Sequence, residues 1–230
     1  SVIHAISGEQ DIRNMGGLKK ALPITFLTFL IGTIAISGLP PFAGFFSKDE
    51  IMAHTYEHSP IMFIILLVTS AFTAFYMFRL FYLTFFGKFR GTEDQKHHLH
   101  ESPKSITIPL IILAILSAVG GFIGVPEALH GSHQLNSFLS PVFAASEKIL
   151  PSAHLSHETE YILMGVTLAI IAIVILTARY IYIKKETVPT PETVALTPAH
   201  RVVYNKYYID ELYETVVIKP LMFASSIFSN

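Results

Sequence analysis

The sequence predicts an all-α membrane protein, a polytopic helix bundle with one discontinuous (broken) transmembrane helix and one interfacial amphipathic helix. Of its 230 residues, 51% are hydrophobic and only 14% are charged, whereas a soluble domain carries about 25% charged residues. The apolar residues are gathered in blocks of roughly 20, the length that crosses a bilayer as a helix. Pro40 and Pro41, with glycines nearby, interrupt the first block, and proline breaks a helix.

Four apolar blocks predict the membrane spans. The first is the broken transmembrane helix over 21–58, and the uninterrupted transmembrane helices cover 60–87, 106–125 and 160–183. The segments between them predict a loop over 1–20, a loop over 88–105, a loop over 126–159 with a short surface helix around 137–150, and a linker over 184–202. The linker contains prolines, which disfavour a continued helix.

Loop charges predict the orientation of these spans. Lysine and arginine are enriched in loops on the cytoplasmic or matrix side of a membrane. Such residues precede the first span or follow the second and the fourth: Arg13, Lys19, Lys20, Lys88, Arg90, Lys96, Lys104, Lys184 and Lys185. The loops over 1–20 and 88–105 are therefore predicted to be inward loops, together with both chain ends, and 126–159 is predicted to be an outward loop.

The segment over 203–230 carries a helical pattern with two different faces. Tyr204, Tyr208, Leu212 and Val216 recur every four residues on one face, and three charged residues recur on another: Lys206, Asp210 and Glu214. This pattern predicts an amphipathic helix that lies in the membrane interface.

Several functional classes are excluded by what the sequence lacks. The chain contains no cysteine, so disulfides, thiolate metal sites and iron–sulfur ligation within it are excluded. It has no glycine-rich phosphate loop, dinucleotide-binding fingerprint or nucleophile elbow, and we expect no cofactor in this chain. Its net charge of −1 gives no support for nucleic-acid binding.

Histidines cluster in two of the predicted loops. His98 and His100 stand two residues apart in the inward loop, a spacing that suits a pair of metal ligands, and further histidines lie in the outward loop: His130, His133, His154 and His157. No helical motif of carboxylate and histidine accompanies them, and free loop histidines are commoner than ligands. We expect no metal site.

Lys48 is the strongest candidate for a functional residue. It lies where a membrane-spanning stretch breaks and restarts, and a broken helix in a membrane is tolerated only where it faces protein or water. An ionisable group at such a place is a functional-site hypothesis by default. Asp49 follows it as an acidic neighbour that stabilises the charged lysine. The alternative is that Lys48 extends to the membrane interface and has no chemical role.

The start of the restarted helix has two interpretations. Ser47-x-x-Glu50 matches a helix-capping pattern, which would place Lys48 in the first turn, where the positive helix dipole and burial both disfavour an ammonium. The helix can instead restart just after Pro41, with Lys48 one turn further in. Arg79, near the inner end of the second span, is a candidate counter-charge, although its position is also typical of an arginine that sets topology.

Four stretches carry a family resemblance: 9–23, the break at 38–51, 76–88 and 204–220. In these the chain resembles the antiporter-like subunits of respiratory complex I, NADH-quinone oxidoreductase, in the form known as subunit L, and it matches a C-terminal fragment of that subunit. Since it begins at Ser1 without an initiator methionine, we expect a fragment of a longer polypeptide.

The resemblance implies a function. It makes Lys48 a protonatable residue at the outward end of a hydrated axis, with Asp49 as its acidic neighbour. The full subunit would couple NADH-to-quinone electron transfer, performed in other subunits that hold the flavin, iron–sulfur clusters and quinone, to proton transport. The expected partners are the lipid bilayer and other membrane subunits of complex I, and the expected location is the bacterial inner membrane. Because the family's earlier spans are missing, we expect no proton pumping by the fragment alone.

Two other functions remain open from the sequence. The large subunit of a multisubunit cation/proton antiporter shares the broken helix and the lysine, although the Tyr-Tyr-Ile-Asp-Glu-Leu-Tyr pattern over 207–213 favours the respiratory subunit. A purely structural membrane module, with an inert Lys48, is the second alternative.

Overall fold

The described residues fold as helices joined by short connections. The structure is a computed structural model that describes residues 1–126, 129, 131, 134–147, 156–189 and 197–228. All regular elements in these residues are helical, which confirms the predicted fold class. The α-helices are α1 (Val2–Ala5), α2 (Pro23–Ser37), α3 (Ala43–His58), α4 (Pro60–Phe85), α5 (Glu93–His97), α6 (Lys104–Val119), α7 (Gln134–Glu147), α8 (His157–Arg179), α9 (Pro198–Tyr204), α10 (Ile209–Tyr213) and α11 (Lys219–Phe228).

Long apolar helices dominate the segment from Ser1 to Val188. Among the described residues, three helical stretches have the length and composition to cross a membrane: Pro60–Phe85, Lys104–Gly124 and His157–Lys184. The apolar helix α2 is shorter. Large apolar side chains cover the outside of these stretches, as shown by Ile61 at 72% exposure and Phe72 at 68%. Exposed apolar surface on this scale is typical of contact with a membrane or with another protein.

Helix α4 lies at the centre of this unit. It packs against α2, α3 and α8, while α6 packs on another side of α2. Pro60 occupies the first turn of α4, where its missing N–H costs nothing, and the Ser59 hydroxyl accepts a hydrogen bond from the Met62 amide at 3.4 Å. Only Ser59 separates α3 from α4, so the two helices are held side by side.

An aromatic cluster joins α2 to the end of α4. The rings of Phe26 and Phe81 stack with centroids 5.4 Å apart, and Phe29 lies 5.5 Å from Phe85. Leu18 and Leu22, from the segment that precedes α2, are fully buried in the same core. Residues 1–20, predicted as a loop, thus contain the short helix α1 and supply part of the core.

The carboxyl end of α4 is closed by three donors from outside the helix. The Gly17 amide donates to the Phe86 carbonyl at 3.0 Å, and the Lys19 amide donates to the Phe85 carbonyl at 3.2 Å. A guanidinium nitrogen of Arg90 donates to the Leu83 carbonyl at 2.8 Å. These bonds satisfy carbonyl oxygens that have no partner within the helix, so the stretch before α2 is fixed to the end of α4.

Glu101 caps the amino end of α2. Its carboxylate accepts hydrogen bonds from the amides of Ile24 (2.8 Å) and Thr25 (3.2 Å) and from the Thr25 hydroxyl (2.6 Å). Burial raises the pKa of this carboxyl, but the hydrogen bonds from Thr25, Ile24 and the Ser102 amide together hold the pKa below its usual 4.5. An anion at a helix amino end is stabilised by the helix dipole.

The segment after α6 contains a further helix. α7 begins at Gln134, three residues before the predicted start of the surface helix, and includes Pro141. Phe138 on this helix is 79% exposed. The last part of the predicted helix, over 148–150, lies outside the described residues, as do His130, His133 and His154.

The segment from Pro189 to Asn230 forms a separate unit. Its first helix, α9, begins at Pro198 with Thr197 as its cap, five residues before the predicted start of the amphipathic segment. The prediction of one continuous helix from Tyr204 is wrong, because Lys206, Tyr207 and Tyr208 adopt positive φ angles of 50°, 58° and 58°. Left-handed residues of this kind end a right-handed helix. Tyr204 therefore belongs to a different helix from Leu212, and the helical course resumes at Ile209.

The Glu101 cap gives a prediction about pH. Replacement Glu101→Gln removes the anion, so we expect the free energy of unfolding to fall by about 1 kcal/mol at neutral pH. Because the pKa in the folded state is lowered, this contribution is fully present above the unfolded value and is lost as pH falls through the folded one. Thermal unfolding of both proteins in detergent from pH 7 down to pH 3 (roughly the range over which carboxyls titrate) measures it.

The matched control is Glu93→Gln, since Glu93 forms only an exposed ion pair with Lys96 at 3.2 Å, and such pairs contribute little. A wild-type advantage that stays constant as pH falls below 4.5 would contradict the capping role.

Candidate functional site

The break between α2 and α3 is short and tightly built. α2 ends at Gly38, which takes the left-handed conformation with φ 78°. The Gly38 amide donates to the Ala35 carbonyl at 3.1 Å, and the Leu39 amide donates to the Ile34 carbonyl at 3.3 Å. The Pro40–Pro41 peptide bond is cis, and α3 begins at Ala43. Two of the carbonyls at the end of α2 are therefore satisfied within the chain itself.

The two half-helices approach each other through glycine. A Cβ atom placed on Gly44 would overlap the carbonyl oxygen of Ala35, in the last turn of α2. A Cβ atom on Gly121 would lie 2.6 Å from the Cα of Ala43. The first turn of α3 is thus in backbone contact with the end of α2 on one side and with the 3-10 turn after α6 on the other. No larger residue fits at either glycine without movement of these backbones.

The sequence left two possible starts for α3, and in the structure the helix begins at the earlier one, just after Pro41. Ser47 lies inside α3 and its hydroxyl donates to the Ala43 carbonyl at 3.3 Å, so it does not cap the helix. The interpretation of Ser47 and Glu50 as a capping pair is therefore wrong. The reason is the sharp turn after Gly38, which allows α3 to begin as soon as the prolines have passed. Lys48 consequently lies beyond the first turn.

Lys48 reaches back to the carboxyl end of α2. A Cβ atom on Gly38 would lie 3.0 Å from the Lys48 Cδ and 3.9 Å from its Nζ. The Nζ atom is buried and has no hydrogen-bond partner among the described residues. The helix end that the amine meets carries a partial negative charge, which stabilises an ammonium, whereas burial favours the neutral amine. The sequence-based expectation of a positive dipole at this lysine is thus reversed.

Lys48 and Asp49 line one small cavity of about 10 Å³, room for about one water molecule. Its remaining wall consists of Gly38, Phe45 and residues of α8: Met164, Thr167 and Leu168. Asp49 also experiences the charges of Glu160, at the start of α8, and of Glu50. Within the described part of the chain no ion pair joins Asp49 to Lys48, so the two act as neighbours along the cavity and not as a salt bridge.

Arg79 lies on a different face of α4 from the one that contacts α3. On α4, Ser70 faces α3, where its hydroxyl lies 4.0 Å from the Met52 sulfur. Arg79 follows Ser70 by nine residues, which is about half a turn round the helix. Phe75, one turn before Arg79, contacts Tyr182 of the π turn after α8. The helical period therefore places Arg79 on the face of α4 opposite Ser70, and its Nε is buried with no partner among the described residues.

Two hydroxyls of α2 were missed by the sequence analysis. Thr33 and Ser37 are fully buried, and neither side-chain oxygen has a hydrogen-bond partner among the described residues. Their spacing of four within an apolar helix was a usable signal, because polar residues so spaced share one face. In the connection between α5 and α6, the His100 imidazole donates a hydrogen bond to the His98 carbonyl at 2.7 Å. No group of three or more metal-ligating side chains occurs among the described residues.

The fold and the site together define a class. A bundle of membrane-spanning helices carries a buried lysine where one helix breaks, and a discontinuous helix with an ionisable group is typical of ion-transporting membrane proteins. The family described as "NADH:quinone oxidoreductase/Mrp antiporter, TM" matches residues 1–73, which include the whole break and Lys48.

Similar proteins narrow this class. NAD(P)H-quinone oxidoreductase chain 5 of Picosynechococcus sp. is 40% identical over 91% of this chain and 33% of its own length. NADH-quinone oxidoreductase subunit L of Neisseria meningitidis is 32% identical over 95% of this chain and 38% of its own length. The subunit L of Rickettsia conorii is 32% identical over 99% of this chain and 37% of its own length. The chain spans about a third of the length of these relatives.

The chain belongs to the antiporter-like subunit family of NADH-quinone oxidoreductases, as a homologue of part of its subunit L and chain 5 members. The predicted family resemblance is thereby confirmed.

The close approach of the half-helices predicts a cost for a single methyl group. Gly44→Ala must push α3 away from the Ala35 carbonyl, so we expect about 1–3 kcal/mol of destabilisation. Gly32→Ala, in the interior of α2 with no neighbouring atom within 4 Å, is the control and should be neutral or more stable by up to about 1 kcal/mol. Thermal unfolding in detergent measures both. Equal midpoints for the two variants would show that the half-helices are not in backbone contact.

Proposed function

We propose that this chain is the lysine-bearing part of the distal proton-translocating membrane subunit of NADH-quinone oxidoreductase. The subunit couples electron transfer from NADH to quinone, carried out in other subunits, to proton transport across the membrane. One observation carries the proposal: the buried amine of Lys48 at the break between α2 and α3. Relatives that are named as quinone oxidoreductase subunits over nearly all of this chain support it.

The surroundings of Lys48 suit a group that both gains and loses a proton. The carboxyl end of α2 favours the ammonium, while burial favours the neutral amine. When two opposing effects of this kind nearly balance, a modest change in nearby charge shifts the amine from one state to the other. The Asp49 carboxylate lines the same cavity, and the charge of Glu160 acts on Asp49. The charge of these carboxylates can make that change. Lys48 is therefore the proton-carrying group and Asp49 the residue that adjusts its charge.

Arg79 has a different role in this proposal. Since it lies on the face of α4 opposite Ser70, which contacts α3, we assign it to the packing between α4 and α8 and not to the counter-charge of the lysine. The chain holds no redox cofactor of its own, because flavin, iron–sulfur clusters and quinone belong to other subunits. Its partners are the neighbouring membrane subunits of the complex and the lipid bilayer, and its location is the bacterial inner membrane.

The large subunit of a multisubunit cation/proton antiporter is the competing function. The family description names both kinds of protein. Relatives that are 32–40% identical to this chain are named as quinone oxidoreductase subunits. Their names favour the respiratory function over the antiporter.

Removal of the amine tests the proposal. Lys48→Met in the complete subunit, within the assembled complex in liposomes, should lower the rate of proton translocation severalfold, because no other buried amine lies at the break in the described residues. NADH oxidation and dye-detected acidification are measured together. Lys20→Met, at an exposed lysine before the same broken helix, is the control. Unchanged translocation in Lys48→Met with intact assembly would leave the lysine a structural residue.

A second variant separates charge from proton exchange. Lys48→Arg keeps a positive charge at the end of α2, but arginine does not release its proton in proteins. We expect translocation to be impaired nearly as much as in Lys48→Met, with normal assembly. If instead Lys48→Arg pumps like the wild type, a fixed positive charge suffices and the exchange of a proton at this residue is ruled out.

A further inference from the structure

The hydroxyls of Thr33 and Ser37 differ from the other hydroxyls of the membrane helices. In such helices a threonine usually bonds the carbonyl four residues before it. Hydroxyls at five positions do so at 2.8–2.9 Å: Thr28, Thr69, Thr73, Thr167 and Thr177. Thr33 and Ser37 make no such bond, although both are 0% exposed. Their hydrogen-bonding capacity is therefore directed away from their own helix.

Helical periodicity places both hydroxyls on the face of α2 that carries Phe29. Phe29 packs on Phe81 and Phe85 of α4. Thr33 and Ser37 follow Phe29 at intervals of four residues, so they continue the same face towards the break. Ser37 is the last residue of α2 and directly precedes Gly38, the residue beside which the Lys48 amine lies.

Lys48 approaches the same region from α3. It precedes Met52 by one turn, and Met52 contacts Ser70 of α4. Because α3 and α4 are joined by a tight turn, one turn back along α3 corresponds to one turn forward along α4, which is Ala74. Ala74 is 0% exposed, and its side chain is a single methyl group. Lys48 and Ala74 are thus level with each other along α3 and α4, and α2 packs against both of these helices.

We propose that Thr33 and Ser37 are positioning residues for Lys48. The hydroxyls of Thr33 and Ser37 hold hydrogen-bonded water between α2 and α4, and this water provides the path by which the Lys48 amine exchanges its proton. The inference rests on the proposed function. Buried polar groups without protein partners are rare in native structures and typically bind water. In each transfer the ammonium gives its proton to water and a hydroxyl accepts one proton while it gives up another. The hydroxyls stay neutral and nothing is consumed.

The test uses four variants of the complete subunit in the assembled complex. Thr33→Val keeps the volume and removes the hydroxyl, whereas Thr33→Ser keeps the hydroxyl and removes a methyl group. Ser37→Ala removes the second hydroxyl, and Thr28→Val is the control, since the Thr28 hydroxyl is bonded to its own helix at 2.9 Å. Proton translocation and NADH oxidation are measured in liposomes in H2O and in D2O, together with the yield of assembled complex.

The two roles of Thr33 predict opposite results. A proton path requires that Thr33→Val and Ser37→Ala slow translocation severalfold and increase its dependence on D2O, while Thr33→Ser and Thr28→Val pump normally. A packing role requires that Thr33→Ser be the harmful change and Thr33→Val the harmless one, and that result overturns the inference, as does normal pumping by Thr33→Val. If Lys48→Met abolishes pumping while Thr33→Val does not, this inference alone fails. Normal pumping by Lys48→Met removes both.

Discussion

The backbone contact between the end of α2 and the start of α3 is the constraint on which the site depends. Inside a bilayer a helix break exposes amide and carbonyl groups, and each such group is costly unless protein or water satisfies it. Here the turn bonds of Gly38 and Leu39 satisfy two carbonyls, and Gly44 lets the next helix begin against Ala35. The helical course is thus interrupted over only five residues, 38–42. The side chain of Lys48 lies back against the carboxyl end of α2.

Helix α2 carries opposite charges at its two ends. The Glu101 carboxylate accepts hydrogen bonds at its amino end, and the Lys48 amine lies against its carboxyl end. Both placements agree with the helix dipole. The two groups differ in their packing, because Glu101 is fully hydrogen-bonded while Lys48 has no partner in the described residues. The carboxylate is therefore stabilised by hydrogen bonds as well as by the dipole, and an ammonium at Lys48 would be stabilised by the dipole alone.

The sequence predicted the parts of the fold that depend on composition and failed where local geometry decides. Apolar blocks are sufficient to find long helices, and prolines with a lysine beside them are sufficient to find the break. The Ser47 capping pattern was misleading, since a capping sequence inside a helix that has already begun has no amide left to cap. The sign of the dipole at Lys48 depends on a side chain that folds back on another helix, which no pattern in α3 records. The positive φ angles at residues 206–208 likewise could not be predicted, because no glycine occurs at these positions.

The two ends of α2 also differ in how their buried side chains are packed and hydrogen-bonded. At one end Phe26 and Phe29 interlock with the aromatic rings of α4, and close-packed rings leave no room for water or for movement. At the other end the same face of α2 carries Thr33 and Ser37, whose buried hydroxyls have no hydrogen-bond partner among the described residues. The proposed proton transport requires both a packed region through which protons do not leak and a polar region in which one amine can change its charge. In this chain one face of a fifteen-residue helix provides the two in succession.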